Sequence, residues 1–329
     1  MSFQAEKALV RAHYDALDNA TPNTVASVLA ERTAADWHWR GMHPFHELKG
    51  AKAVAENFWV PFLSALQRVQ RRQDVFIAGL NEIDDFQSVW VVSMGHLMGL
   101  FDAPFLGIPP SRKITMLRYA EFNRVENGQI VETAMFCDLI HLMHQAGLQP
   151  LPPQTGQHLI QPGPATHDGL LFDATDVRPG KLTLELINRM INDINGAKSL
   201  SPQEELARCW HDDMIWWGPD GIGATYTIDR YIEQHQRPFR TQLADRKFNG
   251  HVCRLAEGNF GGFFGWPNLT LTPTGGYMGL PGTGRPADMR VVDMYRRSGD
   301  KLAENWIFID ILHFLNMQGL DVLGPLAKT

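Results

Sequence analysis

Apolar and polar positions along the chain fall into the same order twice. The opening residues, MSFQAEKALVRAHYDAL, pattern as an amphipathic helix over Gln4–Leu17, with a second helix around Asn23–Ala30. A short aromatic strand follows at Trp37–Trp39, then a helix over Lys49–Val69 broken at Pro61. Gln87–Met94 alternates weakly. Lys113–Val125 reads as a strand that turns at Glu126-Asn127-Gly128 and returns as Gln129–Phe136. Leu139–Ala146 reads as a last helix, ended by Gly147. The second half repeats this order, with helices at Leu182–Ile194 and Pro202–Trp210, a strand at Ile215–Trp217 and a helix at Ile228–Leu243.

The recurrence is literal. From Pro104 to Leu148 every residue can be set against the one 172 positions later without a gap. Arg118 then faces Arg290, Glu121 faces Asp293, Asp138 faces Asp310 and His141 faces His313. Upstream, Asp36, Trp39, Gly41 and Pro61-Phe62 match residues 177 positions on, so the offset drops by five between Phe62 and Pro104. A unit this long is a whole small domain, not a solenoid repeat. Two domains are expected, 1–151 and 179–329, joined by a Pro- and Gly-rich linker at 152–178. Helices followed by a run of strands imply an α+β fold. Each domain is then a cone in which a curved antiparallel sheet wraps its N-terminal helices, and the concave face is the natural place for a small ligand.

Composition narrows the function. The chain has 329 residues, 44% hydrophobic and 20% charged, with a net charge of −6 and no basic run, which argues against a nucleic-acid partner. No apolar run reaches the ~18 residues of a membrane span. No signal-peptide pattern opens the chain. Cys137, Cys209 and Cys253 share no metal or redox spacing, so a cytoplasmic setting is expected.

The segment GIPPSRKITMLRYAEFNRVENGQIVE resembles the terminal strands of the SnoaL-like polyketide cyclases, in the nuclear transport factor 2-like superfamily. GHLMG (Gly95–Gly99) looks like that family's histidine-bearing strand end. The resemblance covers most of both repeats and implies the cone fold. It is weak on function, because the superfamily hosts cyclases, isomerases, hydrolases and binding modules. The family's acid–base aspartate falls on Met135 and Ile307, which cannot move a proton. A family histidine falls on Glu121 and Asp293. Acid–base work is therefore expected on those two acids, or lost.

The resemblance implies that Glu121 points into the cone, and by the period of two it should share that face with Thr115, Leu117 and Tyr119. A carboxylate in an apolar cavity has its pKa pushed upward and can serve as a base. The catalytic candidates are thus Glu121, His96 and Asp293. Substrate-binding candidates are Trp39, Tyr119, Met135, Trp216, His251 and Trp266, the last standing where the first repeat has His96. Arg118 and Arg290 fall on the opposite strand face, where a salt bridge between domains is the plainer reading. Asp138 and Asp310 read as helix caps. Asp138, His141 and His144 lie on one helical face, and His38, His43 and His46 cluster loosely, but neither set has a metal-motif spacing. No metal and no cofactor are expected. The expected function is a cofactor-independent acid–base enzyme of cyclase, isomerase or lyase type, acting on a small, largely apolar carbonyl or hydroxylated compound. The alternative is a binding or scaffolding protein that kept the pocket and lost the catalysis. The tandem should imitate a homodimer within one chain, with further homo-oligomerisation left open.

Overall fold

The computed structural model describes residues 2–196 and 200–326. The first half opens with α1 (Gln4–Asp18) and α2 (Val25–Ala30), then β1 (Thr33–Gly41) and β2 (His46–Lys49). A helical stretch follows from α3 (Gly50–Val54) to α4 (Val60–Ala65), with one wide π-turn at Ala55–Trp59 between them. Four long elements complete it: β3 (Leu66–Leu80), β4 (Val89–Phe101), β5 (Ile114–Glu126) and β6 (Gln129–Cys137). α5 (Leu139–Gln145) closes the unit.

The second half runs α6 (Val177–Gly196), α7 (Pro202–Ala207), β7 (Trp210–Trp217) and β8 (Thr225–Tyr226). Next come α8 (Ile228–Tyr231), a π-turn at Ile232–Gln236, α9 (Arg237–Gln242) and β9 (Leu243–Phe248). β10 (Cys253–Glu257), β11 (Phe260–Pro273), β12 (Ala287–Ser298), β13 (Lys301–Ile309) and α10 (Ile311–Met317) finish the chain.

The architecture is α+β with two separate sheets, ordered β2-β1-β6-β5-β4-β3 and β10-β11-β12-β13-β7-β8, with β9 also on β11. Neither sheet is wholly antiparallel, because β1 runs parallel to β6 and β7 parallel to β13. Pro61 does not end its helix. The π-turn just before it, repeated before Pro238, takes up the missing N–H by widening one turn. The helix stops instead at Ala65, and Leu66–Val69 already belongs to β3. Likewise α7 stops at Ala207 and Trp210 opens β7. The turn at Asn127-Gly128 has positive φ at both residues, as the two-residue hairpin requires. Asp138 and Asp310 cap α5 and α10, accepting from the His141 and His313 amides at 3.0 and 3.2 Å.

Side-chain alternation divides each sheet into two faces. Leu117, Tyr119 and Met135 join the core beneath the first sheet's own helices. Ala120, Phe122, Ala134 and Phe136 point the other way. They pack with Trp90, Val92 and Met94 against Phe264, Val292, Met294, Trp306 and Phe308 of the second sheet. The two halves therefore meet sheet against sheet, and each large buried side chain there contributes ~2 kcal/mol of burial. The Pro-rich stretch between the halves is no free tether. Leu170 bridges to Phe76 on β3, Gln157 bridges to Ala224, and Pro162 O accepts from Trp306 Nε1 at 3.0 Å.

Candidate active site

Each sheet carries one acid on its inner face, and the two acids live in different surroundings. Glu121 lies opposite Ser93 on β4 and Met135 on β6. Arg71 on β3 reaches it at 2.8 Å, with side-chain exposures of 2% and 4%. The guanidinium lies 3.8 Å from the Tyr14 ring centroid and 4.6 Å from that of Tyr119. Around this pair several polar groups bond to one another, although Nε and Nη2 of Arg71 find no hydrogen-bond partner among the described residues. Tyr119 Oη and Ser93 Oγ are 2.8 Å apart, and Asn123 Nδ2 donates to Tyr14 Oη at 2.8 Å. Thr133 donates to Asn123 Oδ1 at 2.7 Å, and Trp37 Nε1 donates to Thr133 at 2.9 Å. Trp39 is core, packed on Phe45 and Phe58. The first cone is thus filled by a bonded cluster. Glu121 is the anion of a buried ion pair there, not a free base.

His96 does not join Glu121. It lies in mid-strand opposite Arg118, on the outer face, 3.5 Å from Asp74. It lies three positions along the strand from Ser93, so the pleat turns it to the opposite side. Trp266 also sits at the junction between the halves and not in the second cone. Its Nε1 donates to Glu47 at 2.9 Å, and Arg290 covers its ring at 3.9 Å. Arg118 crosses the same junction, donating to Trp217 O at 3.0 Å.

The second cone is open. A cavity of about 170 Å³ is lined by Met190, Leu206, Trp216, Tyr231, Phe263 and Ile307, among others, with Arg246 and Phe248 exposed on its rim. Asp293 forms part of its wall and is 8% exposed. Burial pushes its pKa up to about 7, against hydrogen bonds from Asn305 and Tyr295 that pull it down. Asn305 Nδ2 donates to Oδ1 at 3.0 Å. Phe263 lies directly across from Asp293, and His251 stacks on it at 3.9 Å. His235 stacks on Trp216 at 4.0 Å. Burial lowers the pKa of both histidines to about 3, so they face the cavity as neutral rings. The Nδ1 atoms of His235 and His251 are buried without a hydrogen-bond partner among the described residues. His235 and Tyr231 were missed from sequence because the helix carrying them showed no chemical motif.

Register explains why one cone is full and the other open. Arg71 lies across from Leu97, which faces Leu117. In the second sheet Phe248 lies across from Leu269, which faces Met289, the repeat partner of Leu117. Phe248 therefore stands where Arg71 stands, and Val291 stands where Tyr119 stands. One change removes the cation and the other removes a ring.

Comparison with known proteins agrees with the class that the strands suggested. Residues 267–316 match the family model of the SnoaL-like polyketide cyclases. That match bears out the resemblance seen in the sequence, over the strands that carry Asp293. The solved structures to which the chain is similar include a candidate SnoaL-like polyketide cyclase from Jannaschia sp. CCS1, 19% identical with a TM-score of 0.36, covering 45% of this chain and 95% of that one. An NTF2-like protein from Burkholderia thailandensis E264 is 20% identical with a TM-score of 0.32, covering 44% and 97%. Another from Burkholderia xenovorans LB400 is 12% identical with a TM-score of 0.34, covering 42% and 97%. No curated protein matches the chain. No helix among the described residues is long and apolar enough to cross a membrane.

Proposed function

We propose that the second domain is a cofactor-independent acid–base catalyst of the cyclase, isomerase or lyase type. Its substrate is a small, mostly apolar carbonyl compound. The carrying observation is Asp293: a buried carboxyl on a greasy cavity, with no ion-pair partner among the described residues and a pKa near neutrality. Such a group exchanges a proton with a carbon acid at physiological pH, a step contributing typically ~10²–10⁴-fold. Asn305 and Tyr295 hold the carboxyl, while the neutral rings of His235 and His251 line the same cavity. The hollow is near the size of engineered cavities that admit one benzene-sized ring, so a monocyclic substrate fits best. The family match over the same strands supports cyclase-type chemistry. The first domain serves as packing support.

The test is α-proton exchange. Monocyclic ketones and β-diketones are incubated with the protein in D₂O and followed by NMR. Exchange that is lost in Asp293→Asn and kept in Glu121→Gln supports the reading. Saturable binding without exchange in the wild type would leave a binding module instead.

A further inference from the structure

At one end of the junction, three segments distant in sequence bring metal-ligating groups together. α5 supplies His141, the stretch between the halves supplies His158, and the loop between β7 and β8 supplies Asp220. One ligating atom from each lies within 4.8 Å of the other two. Oδ2 of Asp220 is 2.7 Å from His158 Nδ1 and also 2.7 Å from His144 Nδ1. His141 is 2% exposed, and its Nε2 is buried without a hydrogen-bond partner. A buried ring nitrogen left unpaired beside a carboxylate and a second imidazole needs a partner.

The local scaffold holds these groups in place. Asp138 accepts from the His141 amide at 3.0 Å and from the Asp220 amide at 2.9 Å, so one carboxylate ties two of the three segments. The other end of the junction shows what is special here. Asp310 and His313 recur there, but His43 stands where Asp220 stands and Asn316 where His144 stands. Arg290 lies 3.1 Å from His46 there, while its repeat partner Arg118 lies 4.0 Å from Asp138 and donates to Trp217 O. Among the described residues, such a ligand cluster is found at this end.

We propose that His141, His158 and Asp220 bind a divalent d-block cation of the zinc type, with His144 orienting the Asp220 carboxylate. Two imidazoles and one carboxylate suit zinc better than magnesium or calcium, which prefer all-oxygen shells. Three protein ligands leave a fourth position for water, on the side where His158 is exposed. Ligation through His141 Nε2 puts that ring's proton on Nδ1. The 3.2 Å contact from the Gln145 amide nitrogen then opens, while Gln145 keeps its two bonds to the Met116 backbone. The ion clips the connecting stretch to both halves. The sequence pointed to no metal because these ligands share no local spacing.

The experiment titrates the full-length, chelator-stripped protein with Zn²⁺ by calorimetry. The expected result is one equivalent that is lost, or weakened at least about 100-fold, in His158→Ala. That side chain is exposed, so its removal leaves folding intact. His313→Ala, at the other end, should bind zinc like the wild type. The Co²⁺-loaded wild type should show visible d–d bands that His158→Ala lacks. Absence of stoichiometric zinc binding in the wild type, or unchanged affinity in His158→Ala, overturns the proposal.

Discussion

Phe248 occupies in the second sheet the position that Arg71 holds in the first, each two strands away from a matching residue on the acid-bearing strand. Whether a buried acid is paired or alone thus turns on this one position. Phe248→Arg should restore a cation beside Asp293 and lower its pKa by about 1–3 units. An NMR titration of the Asp293 carboxyl checks this, and an unmoved midpoint refutes the register argument.

Asp293→Asn should remove proton exchange and change the pH dependence of stability. The folded pKa of about 7 lies above the unfolded value of ~3.9. Between those two values the folded state keeps a proton that the unfolded state has released. Stability therefore falls as pH rises through this window, and above it the full penalty stands, on the order of 4 kcal/mol at most. Asparagine has no charge to bury, so the variant should melt several degrees higher than the wild type at pH 8 and near it at pH 4. Thermal melts at the two pH values decide it.

In the wild type, exchange should rise with pH and level off above the Asp293 midpoint near 7, because the base is the ionised form. A rate independent of pH between 5 and 9 would remove Asp293 from the chemistry.

Arg71→Met should destabilise the first domain by about 3–5 kcal/mol, because it leaves Glu121 charged and buried without its partner. Adding Glu121→Leu should recover most of that loss, since an apolar pair of similar volume has no charge to desolvate. Chemical denaturation of both variants tests the pair, and equal stability of the two would contradict it.

Val291→Tyr should introduce the ring that Tyr119 carries in the first cone and close the cavity. Binding of a monocyclic ketone should fall at least about tenfold, with no comparable loss of stability. Retained binding would place the ligand elsewhere.

Much of this was readable from the repeat. The hairpin at Asn127-Gly128 and the capping aspartates follow from local spacing, and the inward direction of Glu121 and Asp293 follows from the family resemblance. β3 was not readable, because QRVQRRQ gives neither a clean two-residue nor a clean helical period. The pairing of Glu121 was hidden for a related reason. Arg71 and Phe248 are 177 positions apart, the upstream offset, but they lie beyond its last sequence match at Phe62, and strand register is what establishes their equivalence. His96 was placed by resemblance to a strand end, and only register shows that it faces the other way. Trp266 was placed by the same analogy. His158 and Asp220 meet only through tertiary folding.

The sheet-to-sheet contact has one more consequence. A dimer of identical chains cannot alter one pocket without altering the other, since both are read from the same codons. Here the two hollows are encoded separately and locked together at a fixed ratio that dilution cannot undo. One could solidify around an arginine while its twin stayed open, each under its own selection.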